Sequence, residues 1–319
     1  MPEQETHKIL LITLSNIGDV VMTTPVLEAL HRHYPQAVID IVTDARADQL
    51  FMHCPYRGTI LNKDKQAGWR GTAKLVRQLR NSHYDLVVDL RTDGLTLLLH
   101  ARARLTRRKA RISGYHAVER HFGVIAAHLD NPGIPAAGLW LSAVEQAFAQ
   151  QQLSGLPGHR WLALAPGARW QPKRWPAQNF RLLVEQLQDE FDAVILLGDA
   201  SEADSCATIG TALPLPVINL AGKTGLLETA AVLMQARLLI GNDSGVGHMA
   251  AAVNTATVTV FGPGDPARYH PWHPQSRWIQ SDTGNIEDVS VTAAAGIARQ
   301  VLEITAAKTA RTAKTAVLL

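Results

Sequence analysis

Three stretches of this 319-residue chain place reactive side chains where a ligand could be met. The richest spans residues 238–266, LLIGNDSGVGHMAAAVNTATVTVFGPGDP. An apolar run stops there at Asp243, Ser244 and Gly245, and a small-residue helical pattern carrying His248 follows. The first N–H groups of such a helix lack internal partners and lie at the positive end of its dipole, which suits phosphate oxygens. A carboxylate beside phosphate would be repelled, so Asp243 is expected to cap N–H groups or to grip hydroxyls. Ser244 and His248, four apart, share a helix face. The same residue types also serve plain structure, Asp or Ser as a cap and His as a packed ring. The second stretch, residues 161–176, reads WLALAPGARWQPKRWP. A strand runs into Pro166 and Gly167, and Lys173 and Arg174 follow before Pro176. Two cations at the carboxyl end of a strand suit a diphosphate leaving group, whose developing charge they would stabilise. An ordinary solvated loop would look the same. The third is Gly18-Asp19, after the first apolar run. A carboxylate there also steadies the first turn of a helix without doing chemistry.

The elements that must position these residues follow from periodicity. Strand-like runs at 7–14, 38–43, 85–90 and 110–115 alternate with helical patterns at 20–33, 71–80 and 95–104. After a turn-rich stretch at 131–137 and a helix at 139–152, residues 154–159 (SGLPGH) read as a linker. The rhythm then restarts: strands at 161–165, 193–197, 217–220, 238–240 and 256–261, with helices between them and a last one at 291–304. Strands alternating with helices predict parallel sheets covered on both faces, with ligands at the carboxyl ends of the strands. Two such halves predict a cleft between them. The tail 305–319, with Lys308, Arg311 and Lys314 and no acid, is expected to be loose.

Composition narrows the chemistry. Apolar content of 46%, charged content of 18% and a net charge of +3 describe a globular protein. Cys54 and Cys206 form no metal or disulfide motif, which fits a reducing cytoplasm. Neither a secretory leader nor a membrane span is expected. A single glycine in SNIGDVV disfavours a dinucleotide fingerprint. There is no D-x-D pair to hold a divalent cation on a nucleotide sugar, and thirteen histidines form no H-E-x-x-H. Arg102, Arg104, Arg107, Arg108, Lys109 and Arg111 make a basic run with no acid between Asp93 and Glu119. Little aromatic interleaving disfavours nucleic acid. A solvated helix end or contact with an anionic membrane surface is open to this run.

Together the three stretches resemble the signature of the ADP-heptose:lipopolysaccharide heptosyltransferases, glycosyltransferase family 9. Members open with a lysine-flanked apolar strand and then x-x-x-G-D-x-x-x-x-x-P, a pattern met by Lys8, Gly18, Asp19 and Pro25. The family's catalytic base maps onto Asp19. Its Lys-x-Trp-Pro element, with the lysine on the donor's phosphates, matches Lys173, Trp175 and Pro176. The D-S-G-x-G-H helix and its F-G-P sequel complete the match.

The resemblance implies a GT-B fold, two Rossmann-like doubly wound α/β domains facing a central cleft. Residues 1–155 would bind the acceptor and 156–304 the ADP-sugar. It further implies inverting transfer of heptose from ADP-heptose to the lipopolysaccharide inner core, with Asp19 and Lys173 as catalytic residues and no cofactor, and the missing D-x-D pair adds the expectation that transfer is metal-independent. Gly18, Gly167, Lys173, Asp199, Glu202, Asp243, Ser244, Gly245 and His248 would form the donor site, and the basic run would hold acceptor phosphates and carboxylates. Action at the cytoplasmic face of a Gram-negative inner membrane is the expected setting. A protein-directed heptosyltransferase, a nucleotide-sugar epimerase and a nucleotide-sugar binding protein share the features so far.

Overall fold

The computed structural model describes residues 6–64, 66–91, 94–110, 112–211 and 213–316, with side chains as far as residue 307. It divides into two compact units, Met1–Trp140 and Leu141–Leu319.

In the first unit the elements are β1 (Lys8–Ile12), α1 (Ile17–Val21), α2 (Thr24–His33), β2 (Val38–Thr43), β3 (Arg57–Asn62), α3 (Gly68–Leu79), β4 (Tyr84–Asp89), β5 (Ala101–Thr106) and α4 (Ala117–Phe122). The five strands form a parallel sheet in the order β3-β2-β1-β4-β5. Ile9 to Ile12 of the central β1 are wholly buried, as a strand covered on both faces requires. Leu75 and Leu79 of α3 pack with Leu10, Ile12 and Val87 of the sheet.

Two departures from the sequence reading matter for the site. The helical pattern at 20–33 is two helices, because Pro25 cannot continue the ladder from α1. Thr23 and Thr24 hydroxyls instead donate to the carbonyls of Val20 and Val21 at 2.7 and 2.8 Å. The stretch 95–104 is not a helix either. Leu95–Leu98 is one 3-10 turn, and β5 follows at once, so the strand expected at 110–115 lies earlier. The signal was present as the alternation Ala101, Ala103, Leu105 against Arg102, Arg104, Thr106, a period of two. As an edge strand it carries arginines, and the other edge, β3, was too polar to read as a strand.

In the second unit α5 (Ala143–Leu153) leads into β6 (Trp161–Ala165), α6 (Ala177–Leu187), β7 (Ala193–Leu196), α7 (Ala203–Gly210), β8 (Val217–Asn219), α8 (Leu226–Gln235), β9 (Leu238–Asn242), α9 (Gly245–Ala252), β10 (Thr257–Phe261), α10 (Pro266–Tyr269), β11 (Ser276–Gln280) and α11 (Val291–Ala316). The six strands are again parallel, in the order β11-β10-β9-β6-β7-β8. Because α5 packs against α8, the division between units falls after Trp140 rather than after residue 155. The core gathers Trp175, Phe180 and Phe191 with Leu162, Leu164, Ile240 and Val260. α11 runs to Ala316, so the stretch expected to be loose from residue 305 has a helical backbone to that point. Its Ala, Lys and Arg content favours helix.

Candidate active site

Each sheet reverses its strand order once, and there the chain leaves two neighbouring strands in opposite directions and opens a crevice at their carboxyl ends. In the first unit the reversal lies between β1 and β4, in the second between β6 and β9. All three stretches read from the sequence lie at these points.

After β1 the chain is held by Thr13, whose N–H and hydroxyl both reach the Val42 carbonyl, at 2.9 and 3.1 Å. Asn16 then enters α1 in extended geometry, and its side chain does not cap the helix. Its amide instead donates to Oδ2 of Asp19 at 2.9 Å. Gly18 and Asp19 are half-buried, and Asp19 Oδ1 has no protein donor among the described residues. A carboxylate oriented by one amide, with one oxygen available, can accept a proton from a hydroxyl.

Around it, the same sheet edge is basic. Arg46, which sequence reasoning missed, follows β2, pairs with Asp44 at 2.9 Å and comes to 3.5 Å from the Ser15 carbonyl. Arg91 follows β4, and Arg107, Arg108 and Lys109 form the turn after β5. The basic run therefore divides by role. Arg104 is committed to the fold, donating to the carbonyls of Thr96, Ala101 and Leu99 at 3.0, 3.1 and 2.7 Å. Arg102 is exposed within β5 rather than at its carboxyl end, and Arg111 lies outside the described residues.

In the second unit the fold joins the two other stretches. Asn242, the last residue of β9, is 1% exposed. Its amide donates to the Pro166 carbonyl at 2.6 Å and its oxygen accepts the Trp175 N–H at 3.1 Å. The loop bearing Lys173 is thus clamped across the reversal, and Trp175 anchors it by an indole bond to the Val289 carbonyl at 3.2 Å. The clamp brings Lys173 to Asp243, seventy residues on, as an ion pair. Among the described residues Asp243 caps no N–H group, and the ion pair to Lys173 stands in the place of the expected cap. With the lysine in reach, the ion pair wins over a neutral partner, and two ammonium protons remain for an incoming anion.

Ser244 is the N-cap residue of α9 but makes no capping bond, and its buried hydroxyl has no partner among the described residues. Gly245 opens the helix and His248, one turn on, is buried. The buried hydroxyl and the first N–H groups of α9 follow directly on Asp243, the partner of Lys173, and donors so grouped are able to receive an anion. Behind it, Gln280 holds the glycine turn by bonds to the carbonyls of Gly262 and Gly264 at 2.6 and 2.9 Å, a role nothing in the sequence signalled. Gly262 is required there, since a Cβ would come within 2.7 Å of the Pro172 carbonyl of the lysine loop.

Asp199 and Glu202, after β7, cap their own turn. Asp199 Oδ1 accepts the Ser201 N–H at 2.8 Å and Glu202 Oε2 accepts the Asp199 N–H at 2.9 Å. Glu202 also lies against Gly167, where a Cβ would fall 1.8 Å from its carboxylate. Burial, with the Asp199 charge adding to it, pushes the Glu202 carboxyl above the usual range. Arg174 braces the loop through the Ala168 carbonyl at 2.6 Å. Among the described residues no three His, Cys, Asp or Glu side chains form a group that could hold a metal ion.

The family model for glycosyltransferase family 9 (heptosyltransferase) matches residues 98–297, more than half of the chain. The chain belongs to glycosyltransferase family 9. Like other members of the family, it is similar to lipopolysaccharide heptosyltransferase 2 of Escherichia coli K12, at 26% identity covering 93% of this chain and 95% of that one. The structure of E. coli ADP-heptose lps heptosyltransferase II superposes with a TM-score of 0.78 at 25% identity, covering 93% and 99% of the two chains. A family 9 glycosyltransferase from Veillonella parvula gives 0.82 at 20% identity over 94% and 98%. The two parallel α/β sheets are those of the GT-B class, and the family 9 chain is a glycosyltransferase.

Proposed function

We propose that this family 9 enzyme transfers L-glycero-D-manno-heptose from ADP-heptose to the inner core of lipopolysaccharide, with inversion and without a metal, at the cytoplasmic face of the inner membrane. The observation that carries the reading is the joining of Lys173, Asp243 and Ser244 at the start of α9. Gly167, Glu202, Gly245 and His248 surround it as the rest of the donor site, with Asp199 holding Glu202 in place. In this reading Asp19 takes the proton of an acceptor hydroxyl as its oxygen bonds to the anomeric carbon. The bond from that carbon to the β-phosphate oxygen breaks, and ADP leaves with the electron pair. Lys173 and the α9 N–H groups offset the charge that develops on it. Asp243 holds the ammonium in place before the donor arrives. Gly18, beside Asp19, belongs to the donor site in this reading, and Arg107, Arg108 and Lys109, with Arg91, offer an anionic acceptor its counter-charges.

Incubation with ADP-heptose and a panel of truncated core acceptors, read by mass spectrometry, tests this. Asp19→Asn is expected to retain ADP affinity and to lose about 100-fold or more in turnover. Near-normal turnover removes Asp19 from the role. Turnover without an acceptor would favour an epimerase, and transfer only to protein would redirect the acceptor. Activity abolished by a chelator and restored by magnesium or manganese would overturn metal independence.

A further inference from the structure

The first unit has a second surface that the transfer chemistry leaves unused. α3 reads GWRGTAKLVRQL and turns Gly71, Leu75 and Leu79 inward. Parallel strands are usually joined by a crossover helix, which would cover the flank of its neighbour. Among the described residues between β4 and β5 the 3-10 turn Leu95–Leu98 is the only helical element, so no crossover helix covers that flank of α3 there. A groove of about 720 Å³ results, lined among others by Trp69, Ala73, Val76, Arg80 and Leu98. Two of its lining residues are large, apolar and exposed, Trp69 at 76% and Leu98 at 55%, and Leu97 beside Leu98 in the same turn is 79% exposed.

Charge says what covers it. Arg77 and Arg80 line the groove, Arg70 and Lys74 are exposed on the same helix, and the Arg70 guanidinium lies 5.7 Å from the Trp69 ring centre. No Asp or Glu occurs from residue 66 to 83, nor from 94 to 110, the stretches of chain that contain the groove's lining residues. Trp and Leu at the centre of a one-sign field of cations match the boundary between acyl chains and anionic headgroups. A protein partner of ordinary composition would call for mixed charge. Among the described residues no helix is long and apolar enough to cross a membrane, so the contact is one of docking on a surface.

We propose that this face seats the enzyme on an anionic bilayer, with Trp69, Leu97 and Leu98 at headgroup level and Arg70, Lys74, Arg77 and Arg80 against lipid phosphates. The inference deepens the reading of a lipid-borne acceptor given above: docking holds the enzyme on the surface that carries its acceptor. It also moves the membrane contact from the 102–111 run to α3 and its neighbouring turn.

Flotation of the purified full chain with vesicles of phosphatidylcholine, alone or mixed with phosphatidylglycerol, tests it. The protein is expected to float with the mixed vesicles only, and less as salt rises. Lys74→Gln with Arg77→Gln should weaken partition about 30-fold, at about 5-fold per cation. Trp69→Ser with Leu97→Ser should release the protein from vesicles while leaving transfer to a deacylated, soluble acceptor unchanged. Flotation needs no turnover, so its outcome is independent of the acceptor assignment, which the soluble assay reads by itself. Equal flotation of both variants and the parent overturns the proposal, as does absence of vesicle binding. A dimer in sedimentation that Trp69→Ser with Leu97→Ser dissolves would assign the groove to a second copy and overturn it too.

Discussion

Replacing Asn242 by Ala should unclamp the donor loop, and the size of the effect can be worked from its bonds. The side chain is 1% exposed and satisfies two main-chain groups, the Pro166 carbonyl at 2.6 Å and the Trp175 N–H at 3.1 Å. Alanine leaves both buried without that partner, at a cost of about 1–3 kcal/mol each. A loss of about 2–6 kcal/mol follows, at the lower end if water enters the space. For a unit of this size that is a fall in Tm of about 4–24 °C, at about 2–4 °C per kcal/mol. Asn242→Asp separates the two bonds. Its carboxylate still accepts the Trp175 N–H but repels the Pro166 carbonyl until it takes up a proton, which then restores the second bond. Urea and thermal unfolding, followed by circular dichroism at neutral and mildly acidic pH, would read both variants. Asn242→Ala should be weakened at either pH, and Asn242→Asp mainly at the neutral one. A loss below about 0.5 kcal/mol for Asn242→Ala, the level of ordinary surface substitutions, would refute the clamp.

Two further outcomes are expected. The Glu202 carboxyl is raised by burial, so as pH climbs through and above its ordinary value the unfolded chain ionises first. The native state then holds the extra proton and stability falls with pH across that window. Glu202→Gln keeps an acceptor for the Asp199 N–H without the charge, so its Tm advantage over the parent should grow from acidic to neutral pH. A constant difference across that range would show that burial does not govern the carboxyl. Burial also pushes the Cys54 and Cys206 thiols up to about 11. Neither should react with an aromatic disulfide reagent at neutral pH until the protein is unfolded in urea, when both should react. Rapid labelling of the native protein would refute that.

The chemistry-bearing positions could be read from the chain because each is local. Gly18-Asp19, the lysine loop and the start of α9 all follow an apolar run, and a turn after a buried parallel strand lies at the sheet's binding edge. The central strands were legible for the same reason: burial on both faces demands unbroken apolar runs such as 9–12 and 238–240. The edges were not. β3 and β5 bury one neighbour and face solvent, so their composition approaches that of loops and their alternation is short.

Partnership is what tertiary structure decided. Asp243 reads as a cap or a grip on hydroxyls, and only the fold shows Lys173 beside it, because hydrogen-bond preference follows from which donor arrives and not from the residue type alone. Arg104 reads as part of a ligand-binding run until its three carbonyl partners appear. Arg46 and Gln280 carry no signal of their own and matter by where the strands end. The bare flank of α3 depends on a crossover too short to hold a helix, a feature of two segments together. Periodicity and turn chemistry are properties of neighbours in the chain, and these alone fix which residues reach a sheet edge. Which charge meets which, and which apolar face stays uncovered, depends on residues far apart in sequence, and only the packed sheets bring them within reach.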